Sequence, residues 1–266
     1  MNIEFVKMHG LGNDFVVIKM TPEISKIDLS KFAKTISDRR IGIGCDQVII
    51  YSESEVSSEY IMKIYNQDGS MAEACGNGTR CLVYLIGKES VRIKVLARTL
   101  EAKLFDDGMV EVNMGAVSFD KPWMPEESAL WEIASIYKLE PKEMVCVDIG
   151  NPHLVIFNSG LSEEDKGLLG KMLEHNKLFP EGVNVNFAKI DGDIINLRVW
   201  ERGDGFTLAC GSGACATFAA AKKLGFAKNQ ASVQFKLGAL DMSSLGEEIL
   251  MKGPAKLVAR GSYVFE

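Results

Sequence analysis

The sequence predicts an α+β protein built as two similar halves. Three observations predict it: a strand–turn–helix pattern that occurs twice at one spacing, many short strand-like segments, and a few amphipathic helices between them. In the first copy Met62-Lys63-Ile64-Tyr65 leads to Asn66 and then to Cys75-Gly76-Asn77-Gly78. In the second, Leu197-Arg198-Val199-Trp200 leads to Glu201 and then to Cys210-Gly211-Ser212-Gly213. The differences 210 − 75 and 201 − 66 are both 135, so the copies keep register between the polar residue and the cysteine.

Each copy runs on into an apolar helical segment. Residues 79–87 are apolar almost all round, which predicts a buried helix. Residues 214–221 are rich in alanine and close on Lys222, Lys223 and Gly225, the cations and glycine that favour a helix C-terminus. Periodicity predicts amphipathic helices over 29–39, 127–138 and 162–176, and strands over 47–51, 91–95, 144–148 and 154–157. The expected division is an N-terminal half, 1–117, carrying Cys75 and completed by a C-terminal strand, 256–266, and a second half, 118–255, carrying Cys210. The crossover between them is expected near 115–125.

Composition narrows the function. Of the 266 residues 47% are hydrophobic and 25% charged, the balance of an ordinary globular protein large enough for two cores. A net charge of −6 with no basic stretch argues against nucleic acid as a partner. No apolar run is long enough for a membrane span and the N-terminus lacks the apolar core of a signal peptide, so a cytoplasmic protein with no membrane partner is expected. Most of the six cysteines are expected as free thiols in a chain with no secretory signal, and with only three histidines they make a poor zinc set, so no metal is expected.

A Cys-Gly-x-Gly segment at a helix start carries chemistry of its own. The first turn of a helix leaves backbone N–H groups for an anion, and the helix dipole adds partial positive charge there. A cysteine at that place is expected to have its thiolate favoured, with its pKa lowered toward the working range. Two such ends suit the removal of a proton from a carbon next to a carboxylate by one thiolate and its return to the other face by a second thiol. No motif for a cofactor is present, and none is expected. Cys45, Cys81, Cys146 and Cys215 are read as packing thiols, and His9 and His175 as structural or exposed.

These segments, with others, resemble the diaminopimelate epimerase family along nearly the whole chain. The resemblance is carried by Met8-His9-Gly10-Leu11-Gly12-Asn13-Asp14-Phe15, Gly42-Ile43-Gly44-Cys45-Asp46-Gln47, Asn66-Gln67-Asp68-Gly69-Ser70, Cys75 to Cys81, Gly150-Asn151-Pro152-His153, Gly182 to Phe187, Glu201-Arg202-Gly203 and Ala209 to Cys215. It implies two pseudo-symmetric domains, each a β-barrel-like sheet wrapped around a central helix, with the active site in the cleft between them. It implies interconversion of LL- and meso-diaminopimelate without metal or pyridoxal phosphate, and a homodimer. By position Cys75 and Cys210 become the catalytic thiols, with His153 and Glu201 setting their protonation. Asn13, Gln47, Asn66, Asn151, Asn184 and Arg202 hold the substrate, and Gly76, Asn77, Gly211 and Ser212 present backbone amides to the reacting carboxylate. Arg202 suits a distal carboxylate and the asparagines a distal ammonium. One departure concerns substrate identity: Phe206 stands where such chains usually carry glutamate. The alternatives are a racemase of another amino acid on the same fold and a carboxylate-binding protein without turnover.

Overall fold

The structure is a computed structural model that describes residues 1–72, 75–96, 98–158 and 160–265. The chain opens with strands β1 (Asn2–Gly10) and β2 (Asn13–Lys19), helix α1 (Leu29–Ser37), and strands β3 (Gln47–Glu53), β4 (Glu59–Asn66) and β5 (Met71–Ala72). Helix α2 (Gly76–Ile86) and strands β6 (Ser90–Val95), β7 (Arg98–Leu104) and β8 (Met109–Ala116) follow. Then come α3 (Glu127–Tyr137), β9 (Met144–Asp148), β10 (Pro152–Phe157), α4 (Glu163–Glu174), β11 (Asn184–Asp191), β12 (Ile194–Glu201) and β13 (Gly205–Phe206). The chain closes with α5 (Gly211–Lys223), β14 (Gln230–Phe235), β15 (Gly238–Leu245), β16 (Glu248–Pro254) and β17 (Lys256–Val264). It divides into two compact units, Met1–Asn113 with Lys252–Glu266, and Met114–Met251.

Both units repeat one topology. In the first, β2 runs parallel to β3, β3 antiparallel to β4, β4 antiparallel to β5 and parallel to β6, and β6 antiparallel to β7. In the second, β10, β11, β12, β13, β14 and β15 make the same series of pairings in the same order. Strand β1 lies antiparallel to both β2 and β17. In each unit one helix fills the parallel crossover on the outside, α1 or α4, and another sits inside the curled sheet, α2 or α5.

Strand alternation separates these layers. Val16, Ile18, Val48 and Ile50 join Phe32, Ala33 and Ile36 of α1 in one buried cluster. Their neighbours Phe15 and Ile49 face α2, so close that a Cβ on Gly78 would lie 2.9 Å from Ile49 and 3.3 Å from Phe15. In the second unit Leu154, Ile156, Val185 and Phe187 pack with Leu169 and Leu173 of α4. The inner helix α5 touches β9, β10, β11, β12, β14 and β15. A helix surrounded on that many sides must be slim, and Ala214, Ala216, Ala219, Ala220 and Ala221 are all buried along it.

Caps fix where the helices start. Asp28 accepts the Ser30 and Lys31 amides at the head of α1, and Ser162 accepts that of Asp165 at α4. Helix α2 stops where Gly87 turns left-handed at φ +72°.

Candidate active site

Cysteine takes the capping position in both inner helices. Cys75 Sγ accepts the Gly78 amide at 3.4 Å, and Cys210 Sγ accepts the Gly213 amide at 3.4 Å. Both cysteines hold extended backbone, with φ/ψ of −148°/106° and −128°/115°. Sulfur here does the work that serine or aspartate oxygen does at an ordinary N-cap.

Around Cys75, the thiol donates to Asn13 Oδ1 at 3.7 Å, and Asn77 Nδ2 donates to the same oxygen at 3.3 Å. The Asn13 amide is held the right way round because its Nδ2 donates to Asp46 Oδ2 at 2.9 Å, and a carboxylate can only accept. Asp46 in turn accepts from Arg39, which also grips Asp14 through both of its nitrogens, while Lys7 donates to Asp14 at 2.5 Å. Burial works against the Asp14 carboxylate, but hydrogen bonds from Arg39 and Lys7 win and hold it down at about 2. Arg80, fully buried in α2, donates to Asn77 Oδ1 at 2.8 Å.

Gln47 and Asn66 form a second group in this unit. They face each other across β3 and β4, with Gln47 Nε2 donating to Asn66 Oδ1 at 2.9 Å. Gln47 Oε1 is buried and has no hydrogen-bond partner among the described residues.

Around Cys210 a carboxylate contacts the thiol directly. The thiol donates to Glu201 Oε2 at 3.1 Å and lies 3.4 Å from Ser212 Oγ, while Thr207 donates to Glu201 Oε1 at 2.5 Å. His153 is completely buried in β10. Asn186 Nδ2 donates to Gly213 O at 2.9 Å and to Thr217 Oγ1 at 3.0 Å, so Asn186 Oδ1 faces His153 Nδ1 at 3.1 Å as an acceptor. That places the ring hydrogen on Nδ1 and leaves Nε2 to accept from the Ser212 hydroxyl 3.1 Å away. Asn151 Oδ1 lies 3.2 Å from Nε2, and Asn151 Nδ2 donates to Ser212 Oγ at 3.5 Å. His153 thus reaches Cys210 through Ser212, and desolvation lowers its pKa to about 4, against weaker help from Asn186.

The expected thiolate at this helix start is corrected by the surroundings of Cys210. Burial raises its pKa well above the ordinary value and the Glu201 charge raises it further, outweighing the Ser212 and Gly213 hydrogen bonds. Its resting form is the thiol, with the carboxylate placed to take the proton.

Asn184 Nδ2 donates to Pro152 O at 2.7 Å, and its Oδ1 accepts the Arg202 amide at 3.0 Å. Arg202 is exposed, with Nη1 on Glu181 O at 2.6 Å. The Phe206 ring packs edge-on to Trp200, centroids 5.3 Å apart, and lies 4.5 Å beneath the Arg198 guanidinium. Cys45, Cys81 and Cys215 are fully buried as expected of packing thiols, whereas Cys146 is only half-buried. Burial pushes the Cys45, Cys81 and Cys146 thiols up to about 12. Asp46, Asn186 and Thr207 are the site neighbours that sequence reasoning missed. Of these Thr207 alone had a local signal, its place beside Glu201 in a tight hairpin. Among the described residues no group of three or more His, Cys, Asp or Glu is placed to hold a metal ion.

Comparisons with known proteins place the chain among relatives. The family model described as diaminopimelate epimerase matches residues 5–119 and 145–258. The diaminopimelate epimerase of Rickettsia akari is 51% identical, over 99% of this chain and 98% of that one, and the Rickettsia felis enzyme is likewise 51% identical with the same coverage. The fold is similar to that of a PhzF-family phenazine biosynthesis protein from Bacillus anthracis, with TM-score 0.74 at 14% identity and complete coverage of both chains. A hydroxyproline epimerase from Agrobacterium vitis gives TM-score 0.65 at 12% identity, over 98% of this chain and 91% of that one. With half of its residues shared over nearly its full length and both capping cysteines in place, the chain belongs to the diaminopimelate epimerase family.

Proposed function

We propose that this chain is an isomerase that inverts the α-carbon of diaminopimelate between its LL and meso forms, using Cys75 and Cys210 as the two acid–base groups. The observation that carries the reading is the Cys210–Glu201 contact at the head of α5, matched by the cysteine cap of α2. Glu201 accepts the Cys210 proton, and the Gly213 amide steadies the sulfur as it gains charge. The thiolate removes the α-proton, and the thiol of the other cysteine gives a proton to the opposite face. In the reverse direction the roles exchange.

The reacting carboxylate is bound by first-turn amides at Gly76, Asn77, Gly211 and Ser212, where the helix dipoles offset the charge that spreads from the carbon. Arg202 takes the distal carboxylate, and Asn13, Gln47, Asn66, Asn151 and Asn184 supply amide groups to the rest of the substrate. Gln47 Oε1 is a buried acceptor suited to a substrate N–H. His153 holds Ser212 in position as a neutral ring. The chemistry needs neither a metal nor pyridoxal phosphate.

No helix of the described residues is long and apolar enough to cross a membrane. In this reading the protein is placed in the cytoplasm. The reading also includes a homodimer, which a sedimentation measurement of solution mass tests. The activity is tested by incubating LL-diaminopimelate with the wild type and with Cys75→Ser and Cys210→Ser, and separating the stereoisomers. The wild type forms the meso product and each variant loses epimerisation while still binding the substrate. Full turnover by either variant contradicts the two-thiol assignment.

A further inference from the structure

Glu174, the last residue of α4, is a carboxylate where local physics favours a cation. The C-terminus of a helix carries partial negative charge, and this side chain is also 8% exposed, so it gives up most of its hydration. A residue that breaks a local preference in this way is held by something outside its own element. Here the holding contacts are two N–H donors from the β12–β13 hairpin. Trp200 Nε1 donates to Glu174 Oε2 at 2.8 Å, and the Gly203 amide donates to Oε1 at 2.7 Å.

Residues 200 and 203 bracket Glu201 and Arg202, so one buried carboxylate clamps the chain on both sides of that pair. The Trp200 ring is seated tightly against α4, since a Cβ on Gly170 would come within 2.6 Å of it. Glu201 has an independent hold through Thr207, whereas the Arg202 backbone depends on this turn and on Asn184.

We propose that Glu174 is a positioning residue for Arg202, setting where its guanidinium meets the distal carboxylate of the substrate. It rests on the functional reading above, in which Arg202 grips that group. Losing the clamp loosens substrate binding equally in ground and transition states, which raises KM and spares kcat.

The test is steady-state epimerisation of diaminopimelate by the wild type, Glu174→Gln, Glu174→Ala and Trp200→Phe. Gln keeps one acceptor and a neutral side chain of the same shape, and Trp200→Phe deletes a single donor, so a folded variant is available even if Ala is not tolerated. The expected result is KM raised about fivefold in Glu174→Gln and about tenfold or more in Glu174→Ala, with kcat within about twofold. Trp200→Phe is expected to raise KM by less than Glu174→Ala. A lower melting temperature with unchanged KM, or a fall in kcat alone, overturns the proposal while an active wild type upholds the functional reading. A wild type that does not epimerise diaminopimelate overturns both.

Discussion

Cys210 gives its thiol hydrogen to Glu201 across 3.1 Å, whereas its counterpart Cys75 gives its own to a neutral amide, Asn13 Oδ1, at 3.7 Å. The repeat places Asn66 opposite Glu201 in register, yet Asn66 is engaged with Gln47 and Ser70. The two matched caps thus meet different acceptors, a carboxylate at Cys210 and an amide at Cys75.

Replacing Glu201 by glutamine removes that acceptor while keeping the shape. The expected outcome in stereoisomer assays is a fall in kcat of about a hundredfold or more, with KM little changed, in line with the loss of a general base partner. A variant with full kcat contradicts the role given to Glu201.

Thr207→Val tests the hold on the same carboxylate. Removing a hydrogen bond to a charged group costs about 1.5–3 kcal/mol, and about 1.4 kcal/mol is tenfold in rate, so kcat is expected to fall about ten- to a hundredfold. Unchanged kcat shows that the 2.5 Å contact to Glu201 does not matter for turnover.

His153 sets a pH dependence of stability. Its pKa falls from 6.5 to about 4 on folding because burial disfavours the charged ring. The unfolded chain thus binds a proton between those values that the folded one does not, so stability is complete above about 6.5 and is lost as pH falls toward 4. The loss is roughly 3 kcal/mol. Urea unfolding from pH 7 down to pH 4 is expected to show this slope in the wild type and a flatter one in His153→Gln; equal slopes contradict it.

What was legible in the sequence was local. The 135-residue repeat, the cysteines ahead of two apolar helices and the amphipathic stretches each depend on neighbours within a turn or two. Even so, α2 begins at Gly76, ahead of its apolar run, because Cys75 caps it, and α1 ends at Ser37 because Asp38 turns back on the Arg40 and Ile41 amides. Asn186 and Glu174 were not legible, since their partners arrive from a strand, a helix and a hairpin 26 to 33 residues away. The doubt attached to Phe206 had a physical answer in strand parity. Adjacent side chains point to opposite faces, so Thr207 reaches Glu201 and Phe206 goes to Trp200.

Gly170→Ala tests the seat of Trp200. The added methyl meets the indole at 2.6 Å, and overpacking of this kind costs about 1–3 kcal/mol. A denaturant midpoint lowered without a change in slope is expected, with altered Trp200 fluorescence. A midpoint equal to that of the wild type contradicts the tight contact.

The central claim is proton exchange at the α-carbon of diaminopimelate by a thiol pair. Incubation in deuterium oxide with diaminopimelate, proline and other amino acids, followed by mass and stereoisomer analysis, tests it most directly. Deuterium is expected at the inverted α-carbon of diaminopimelate with the wild type, and no epimerisation by Cys75→Ser or Cys210→Ser. Exchange on proline but not on diaminopimelate, or continued inversion by either serine variant, contradicts it.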